Sequence, residues 1–167
     1  MKIYALTFLT LLSLTAFSCR VASEENPTPD TPNTPDAAVS PASEFHASHL
    51  QSRQNTPFSD AVQVGNIFYL SGQIGRDHAA GKLVEGGIEA ETRQTLENIK
   101  AVLNHHGMDM SNVVKALVIL DDIEDFAAFN AIYTTYLPQK PARTTFAAEA
   151  LAAGAKIEIE VIAVKSE

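Results

Sequence analysis

The clearest periodicity in the chain lies between Ile88 and His106. There Ala90, Leu96, Ile99, Val102 and Leu103 recur at three- and four-residue steps. Apolar positions at that spacing share one side of an α-helix. Glu89, Glu91 and Glu97 suit the positive N-terminal half of such a helix, and Gly107 suits its C-terminal stop. Upstream, Asp60–Val64 and Ile67–Ile74 read as two strands joined at Gly65-Asn66, residue types that accept the positive φ of a tight hairpin. The unbroken apolar run Ile67–Leu70 suits a strand covered on both faces. Gly72, Gly75 and Gly81 interrupt regular structure, and Gly86-Gly87 lead into the helix. Downstream, Val113–Leu120 reads as a buried strand. Asp121-Asp122 opens a second helix, Ile123–Tyr136, with Phe126, Phe129, Ile132, Tyr133 and Tyr136 on its buried side. Pro138 and Pro141 end it, Ala142–Ala147 forms a short strand, Ala148–Ala155 is a connection of small residues, and Ile157–Val164 is the last strand. The order β-β-α-β-α-β-β predicts an α+β domain with one sheet and both helices on one face. The other sheet face keeps apolar side chains, which points to a homo-oligomer.

The N-terminal third has a different pattern. Residues 1–18 combine Lys2, a mostly apolar stretch from Ile3 to Leu14, and small residues at Ala16 and Ser18, the signature of a secretory signal peptide. The cut falls just before Cys19, the only cysteine, and the segment resembles a bacterial lipoprotein signal in which that cysteine becomes the lipidated first residue. Residues 19–45 carry Pro27, Pro29, Pro32, Pro35 and Pro41 and almost no large apolar side chain. Such a stretch buries too little to offset its ordering entropy and acts as an extended tether. The expectation is an exported protein of the cell envelope, held to a membrane by the N-terminal lipid alone. The folded domain is expected over residues 46–167.

Composition narrows the function. The 167 residues hold 12 basic and 20 acidic side chains, a formal charge of −8. A general nucleic-acid binder needs clustered Lys and Arg, so nucleic acid is excluded as a partner. One cysteine excludes a disulfide framework and a Cys-rich zinc site. No GxSxG, Walker A or HExxH pattern occurs. His105-His106 and His46-x-x-His49 are the only histidine pairs, and neither has a third ligand nearby in sequence, so no metal site is assigned. The Asp121-Asp122 and Glu124-Asp125 cluster is explained by helix capping.

Three features carry chemistry. Alternation along the last strand puts Lys156, Glu158 and Glu160 on one face and Ile157, Ile159 and Val161 on the other. Carboxylates two apart on a strand face are about 6–7 Å apart. If half-buried, they repel, and one pKa rises into the range useful for proton transfer; if solvated, they are an ordinary sheet surface screened by Lys156. Pro141-Ala142-Arg143 places a guanidinium at a strand start, where it either binds a carboxylate or is surface charge. In Ser71-Gly72-Gln73, a hydroxyl beside a glycine permits close approach of a ligand.

Together, Val64-Gly65-Asn66, Leu70-Ser71-Gly72-Gln73-Ile74, Gln94-Thr95-Leu96-Glu97-Asn98-Ile99-Lys100, Asp125-Phe126-Ala127 with Asn130 and Tyr133, Pro141-Ala142-Arg143 and Lys156-Ile157-Glu158-Ile159-Glu160 resemble the Rid, or YjgF-type, family of reactive-intermediate deaminases. The resemblance implies a chorismate-mutase-like fold, a homotrimer with clefts between subunits, and cofactor-free hydrolysis of 2-imino or enamine acids to 2-oxo acids and ammonia. It implies that Arg143 grips the substrate carboxylate and Glu158 handles water and protons. It also implies that Ser71, Gly72, Asn130, Thr145 and Phe58 line the cleft. Two positions depart from the family pattern: Thr56-Pro57-Phe58 stands where Gly-Pro-Tyr is usual, and Thr144-Thr145 where Ser-Cys is common. Other readings are a divergent hydrolase of another small carboxylate compound and a non-catalytic ligand-binding module on a membrane tether.

Overall fold

The structure is a computed structural model and describes residues 42–166. The signal peptide, Cys19 and the tether as far as residue 41 lie outside the described residues. Strand β1 is Ser43–His46, so regular structure starts within the stretch read as tether. It pairs antiparallel with β2, Ala61–Val64, which turns at Gly65-Asn66 into β3, Ile67–Ile74. Gly65 takes φ 61°, the left-handed conformation that the tight turn demands. A small hairpin of β4, Arg76–Asp77, and β5, Lys82–Leu83, follows, an addition to the expected order. Then come helix α1, Gly87–His105, strand β6, Val113–Leu120, helix α2, Phe126–Tyr136, strand β7, Ala142–Ala147, and strand β8, Ile157–Val164.

The main sheet has the order β1-β2-β3-β8-β6-β7. The last strand is inserted between β3 and β6 and runs antiparallel to both, while β7 lies parallel to β6. Parallel strands need a crossover, and α1 and α2 supply the crossovers from β3 to β6 and from β6 to β7. Phe68, Leu70, Val118, Leu120, Ile157, Ile159 and Val161 meet Leu96, Ile99, Leu103, Phe129 and Ile132 in one core. The α+β architecture with both helices on one face is as expected.

Several local expectations change. Ile67–Leu70 is not covered on both faces of this chain: Phe68 and Leu70 are buried, but Tyr69 is 46% exposed on the face away from the helices. The second helix starts at Phe126, because Ile123–Asp125 is a separate 3-10 turn capped by the Asp122 carboxylate, which accepts the Glu124 N–H. Glu91 lies in the N-terminal half of α1. It is buried, its Oε2 accepts the Lys156 N–H at 2.8 Å, and a Cβ at Gly75 would strike its backbone. Glu91 therefore fastens α1 to the start of β8, and burial raises its pKa.

The two histidine pairs meet. His46 lies 4.6 Å from His106, His49 stacks on His105 at 4.9 Å, and Phe68 packs against His46 and His106. Among the described residues no three His, Cys, Asp or Glu side chains are arranged to hold a metal ion. Burial, with His46, His105, Lys165 and His49 nearby, pushes the His106 pKa from 6.5 down to about 4. The unfolded chain therefore binds more protons than the folded one between those values, and stability is lost as pH falls through that window. Thermal unfolding followed across pH 6.5 to 4 should show a falling Tm, and His106→Gln should flatten that slope.

Candidate active site

Glu158 sits on β8, where Ile157 and Ile159 on either side point into the core. Alternation sends its carboxylate to the face away from the helices. In register it lies between Ile74 of β3 and Ile119 of β6. The β3–β8 ladder slips between Leu70 and Gln73, so Ser71-Gly72 form a bulge. The slip reverses the alternation of β3: Gln73, not Gly72, turns inward and is 2% exposed. Gly72 is left against Glu158, and a Cβ there would overlap the Glu158 carboxylate. Burial holds the Glu158 pKa above the usual glutamate value, and repulsion from Glu160 adds to it. Lys156 does not screen the pair, because its Nζ is bound to Asp121 at 2.7 Å.

Glu158 opens into a cavity of about 450 Å³ with Phe58, Gly72, Arg76 and His78 on its walls. The Ser71 hydroxyl is not on that wall; it donates to the Ser59 carbonyl at 2.7 Å and ties the Phe58 loop to the bulge. Sequence reasoning missed the group behind this loop. Arg53 donates to Asp60 at 2.8 Å and to Gln73 and the His78 Nε2 at 3.3 Å. Asp60 is 3% exposed in that pair, so losing Arg53 would strand a buried charge at roughly 3–5 kcal/mol. Arg53 also lies 5.9 Å from the ring of Phe58, another residue of the cavity wall. These residues are scattered from 53 to 78 and have no shared spacing, so no sequence signal marks them.

Arg143 lies elsewhere. On β7 it pairs in register with Ala116 of β6, which is itself opposite Val161 of β8, and both neighbours are buried under the helices. Its guanidinium is thus on the helix side. It donates to Asn130 Oδ1 at 2.9 Å and lies 4.7, 5.2 and 5.6 Å from the rings of Tyr133, Phe129 and Phe126. Three aromatic faces and one amide fix the plane of the fork. A cavity of about 340 Å³ beside Arg143 is walled by Asn130, Tyr133 and Pro141. Burial raises the Tyr133 pKa against the opposing effect of Arg143. Thr145 is not on this wall, and its hydroxyl is buried without a partner.

The candidates therefore form two groups. Glu158, Gly72 and Phe58 share one cavity; Arg143 and Asn130 share another, on the opposite side of the sheet. One group holds a carboxylate whose raised pKa suits proton transfer, and the other can hold a carboxylate in a fixed plane.

Over residues 50–165 the chain matches the family described as Endoribonuclease L-PSP. It is 47% identical over 110 residues to the 2-iminobutanoate/2-iminopropanoate deaminase of Capra hircus, covering 65% of this chain and 80% of that protein. The protein of the same name from Mus musculus is 46% identical over 110 residues, covering 65% and 82%. Among solved structures, the YjgF gene product from E. coli gives a TM-score of 0.67 at 31% identity, covering 74% of this chain and 99% of that one.

Removing the like charge at Glu160 should release part of the upward shift at Glu158. In Glu160→Gln, the carboxyl titration of Glu158 followed by NMR should move to lower pH and stay above the ordinary value, since burial remains.

Proposed function

The chain belongs to the endoribonuclease L-PSP family, the YjgF/Rid group, and on that premise we propose that it hydrolyses 2-imino and enamine acids to 2-oxo acids and ammonia. The observation that carries this reading is Glu158: a half-buried carboxylate with a raised pKa, bared by a glycine, in a chain 46–47% identical to proteins named as such deaminases. The family description names a ribonuclease, but a formal charge of −8 disfavours a polyanionic substrate.

The chemistry asks little of the protein. A protonated imine carbon is already electrophilic, so positioning and proton transfer suffice. Arg143 holds the substrate carboxylate. Glu158 takes a proton from a water as its oxygen bonds to the imine carbon. The resulting carbinolamine carries an amino group, which receives the proton back from Glu158. The C–N bond then breaks as Glu158, ionised again, takes the carbinol O–H proton; ammonia leaves and carries that proton away as ammonium, and the carbonyl of the 2-oxo acid remains. Arg143 and Glu158 of one chain face opposite sides of the sheet, so this reading joins Arg143 of one copy to Glu158 of another. A trimer with clefts between subunits meets that requirement, and the uncovered face with Tyr69 supports association. The reading includes export, with a lipidated Cys19 and the Pro-rich stretch as a tether.

The full chain should accelerate 2-oxo acid release from 2-iminobutanoate generated in situ. Glu158→Gln should lower the rate by about 10²–10⁴-fold. Arg143→Ala should raise KM and lower kcat. Gly72→Ala should cripple activity in a folded protein by displacing the carboxylate. Mixing Arg143→Ala and Glu158→Gln chains before refolding should recover part of the activity, because some clefts then receive both intact residues. No acceleration by the folded wild-type protein would overturn the reading. Separately, Cys19→Ser should move the protein from the membrane fraction to the soluble fraction of the exporting cell.

A further inference from the structure

The Glu158 cavity has a charge that the chemistry above leaves unused. Arg76 stands on its wall with Glu158, at the start of the hairpin between β4 and β5. One guanidinium nitrogen of Arg76 donates to the Gly81 carbonyl, which holds the side chain in place. An arginine has five N–H donors, so four remain. Among the described residues, the ion pairs involve Arg53, Lys82, Lys100 and Lys156, and none involves Arg76. The other basic groups on this wall are already accounted for. Arg53 is paired with Asp60, and its guanidinium also donates to His78 Nε2, while burial and the Arg53 charge lower the His78 pKa. In a chain of net charge −8, this half-enclosed cavity thus presents Arg76, a fixed guanidinium that enters no ion pair among the described residues, beside Glu158.

A 2-imino acid has a carboxylate at one end, an iminium at the reacting carbon and a side chain. Arg143 matches the first and Glu158 the second. The geometry points to Arg76 as the residue that reads the third, so that the site prefers 2-imino acids whose side chain carries its own carboxylate. This rests on the deaminase reading. A fixed guanidinium favours a carboxylate over a methyl group of equal reach by about 10- to 100-fold.

The test compares 2-iminoglutarate with 2-iminopentanoate, each made in situ by an amino-acid oxidase, on the full chain. The wild type should favour the dicarboxylate at least about tenfold in kcat/KM, mostly through KM. Arg76→Ala should bring the ratio of the two substrates toward one, and Arg76→Lys should restore part of it. In wild type, 2-oxoglutarate should inhibit more strongly than 2-oxopentanoate, and Arg76→Ala should erase the difference. Turnover of both imines with a ratio near one, or a ratio unmoved in Arg76→Ala, overturns the role of Arg76 alone. Turnover of neither imine by the wild type overturns the deaminase reading and this preference with it.

Discussion

Strand β8 has to serve two faces at once. Ile157, Ile159, Val161 and Ala163 are all within 1% of complete burial beneath the helices, while Glu158 and Glu160 between them must point the other way. A strand has a two-residue period, so a shift of one position would drive both carboxylates into the core. The cost of burying unpaired carboxylates locks the register of β8 against β3 and β6. Because β8 is inserted between those strands, its register aligns both crossovers. The position of Glu158 is thus a by-product of packing the core correctly.

The bulge at Ser71-Gly72 is the second constraint. Without it, Gln73 would share the open face and Gly72 would be buried among the helices. With it, Gln73 enters the interior, where Arg53 takes its carbonyl oxygen and the Ser71 carbonyl its amide. Arg53 then gathers Asp60 and His78, and Phe58 lies across it. One extra residue in a strand therefore couples the core, the loop over the cavity and the space in front of Glu158. Isolated glycines inside strands often mark such points.

Arg143 follows a different logic. Its strand is an edge of the sheet, and its side chain is held by α2 rather than by β8. Aromatic faces and Asn130 restrict a side chain that otherwise loses much rotamer entropy on binding. Arg143 and Glu158 lie on opposite sides of one sheet, which keeps their charges from pairing within the chain. Among the described residues no ion pair involves Glu158, and burial together with the Glu160 charge holds its pKa up.

Periodicity alone was enough for both helices, for the strands Ile67–Ile74, Val113–Leu120, Ala142–Ala147 and Ile157–Val164, and for the shared face of Glu158 and Glu160, since these depend on local repeat and side-chain hydrophobicity. Local signals did not reveal the first strand at Ser43, whose composition resembles the tether and whose order comes from pairing with β2. They could not choose between Glu158 and Glu160 either; burial beside Gly72 makes that choice. The meeting of His46 and His49 with His105 and His106, the Arg53 network and the separation of Arg143 from Glu158 all join residues far apart in the chain. Which elements form, and which side of each faces the core, is legible in the chain because those are properties of neighbouring residues. Which polar groups share a cavity is settled in the folded molecule, because that depends on strand order and on a one-residue slip in register.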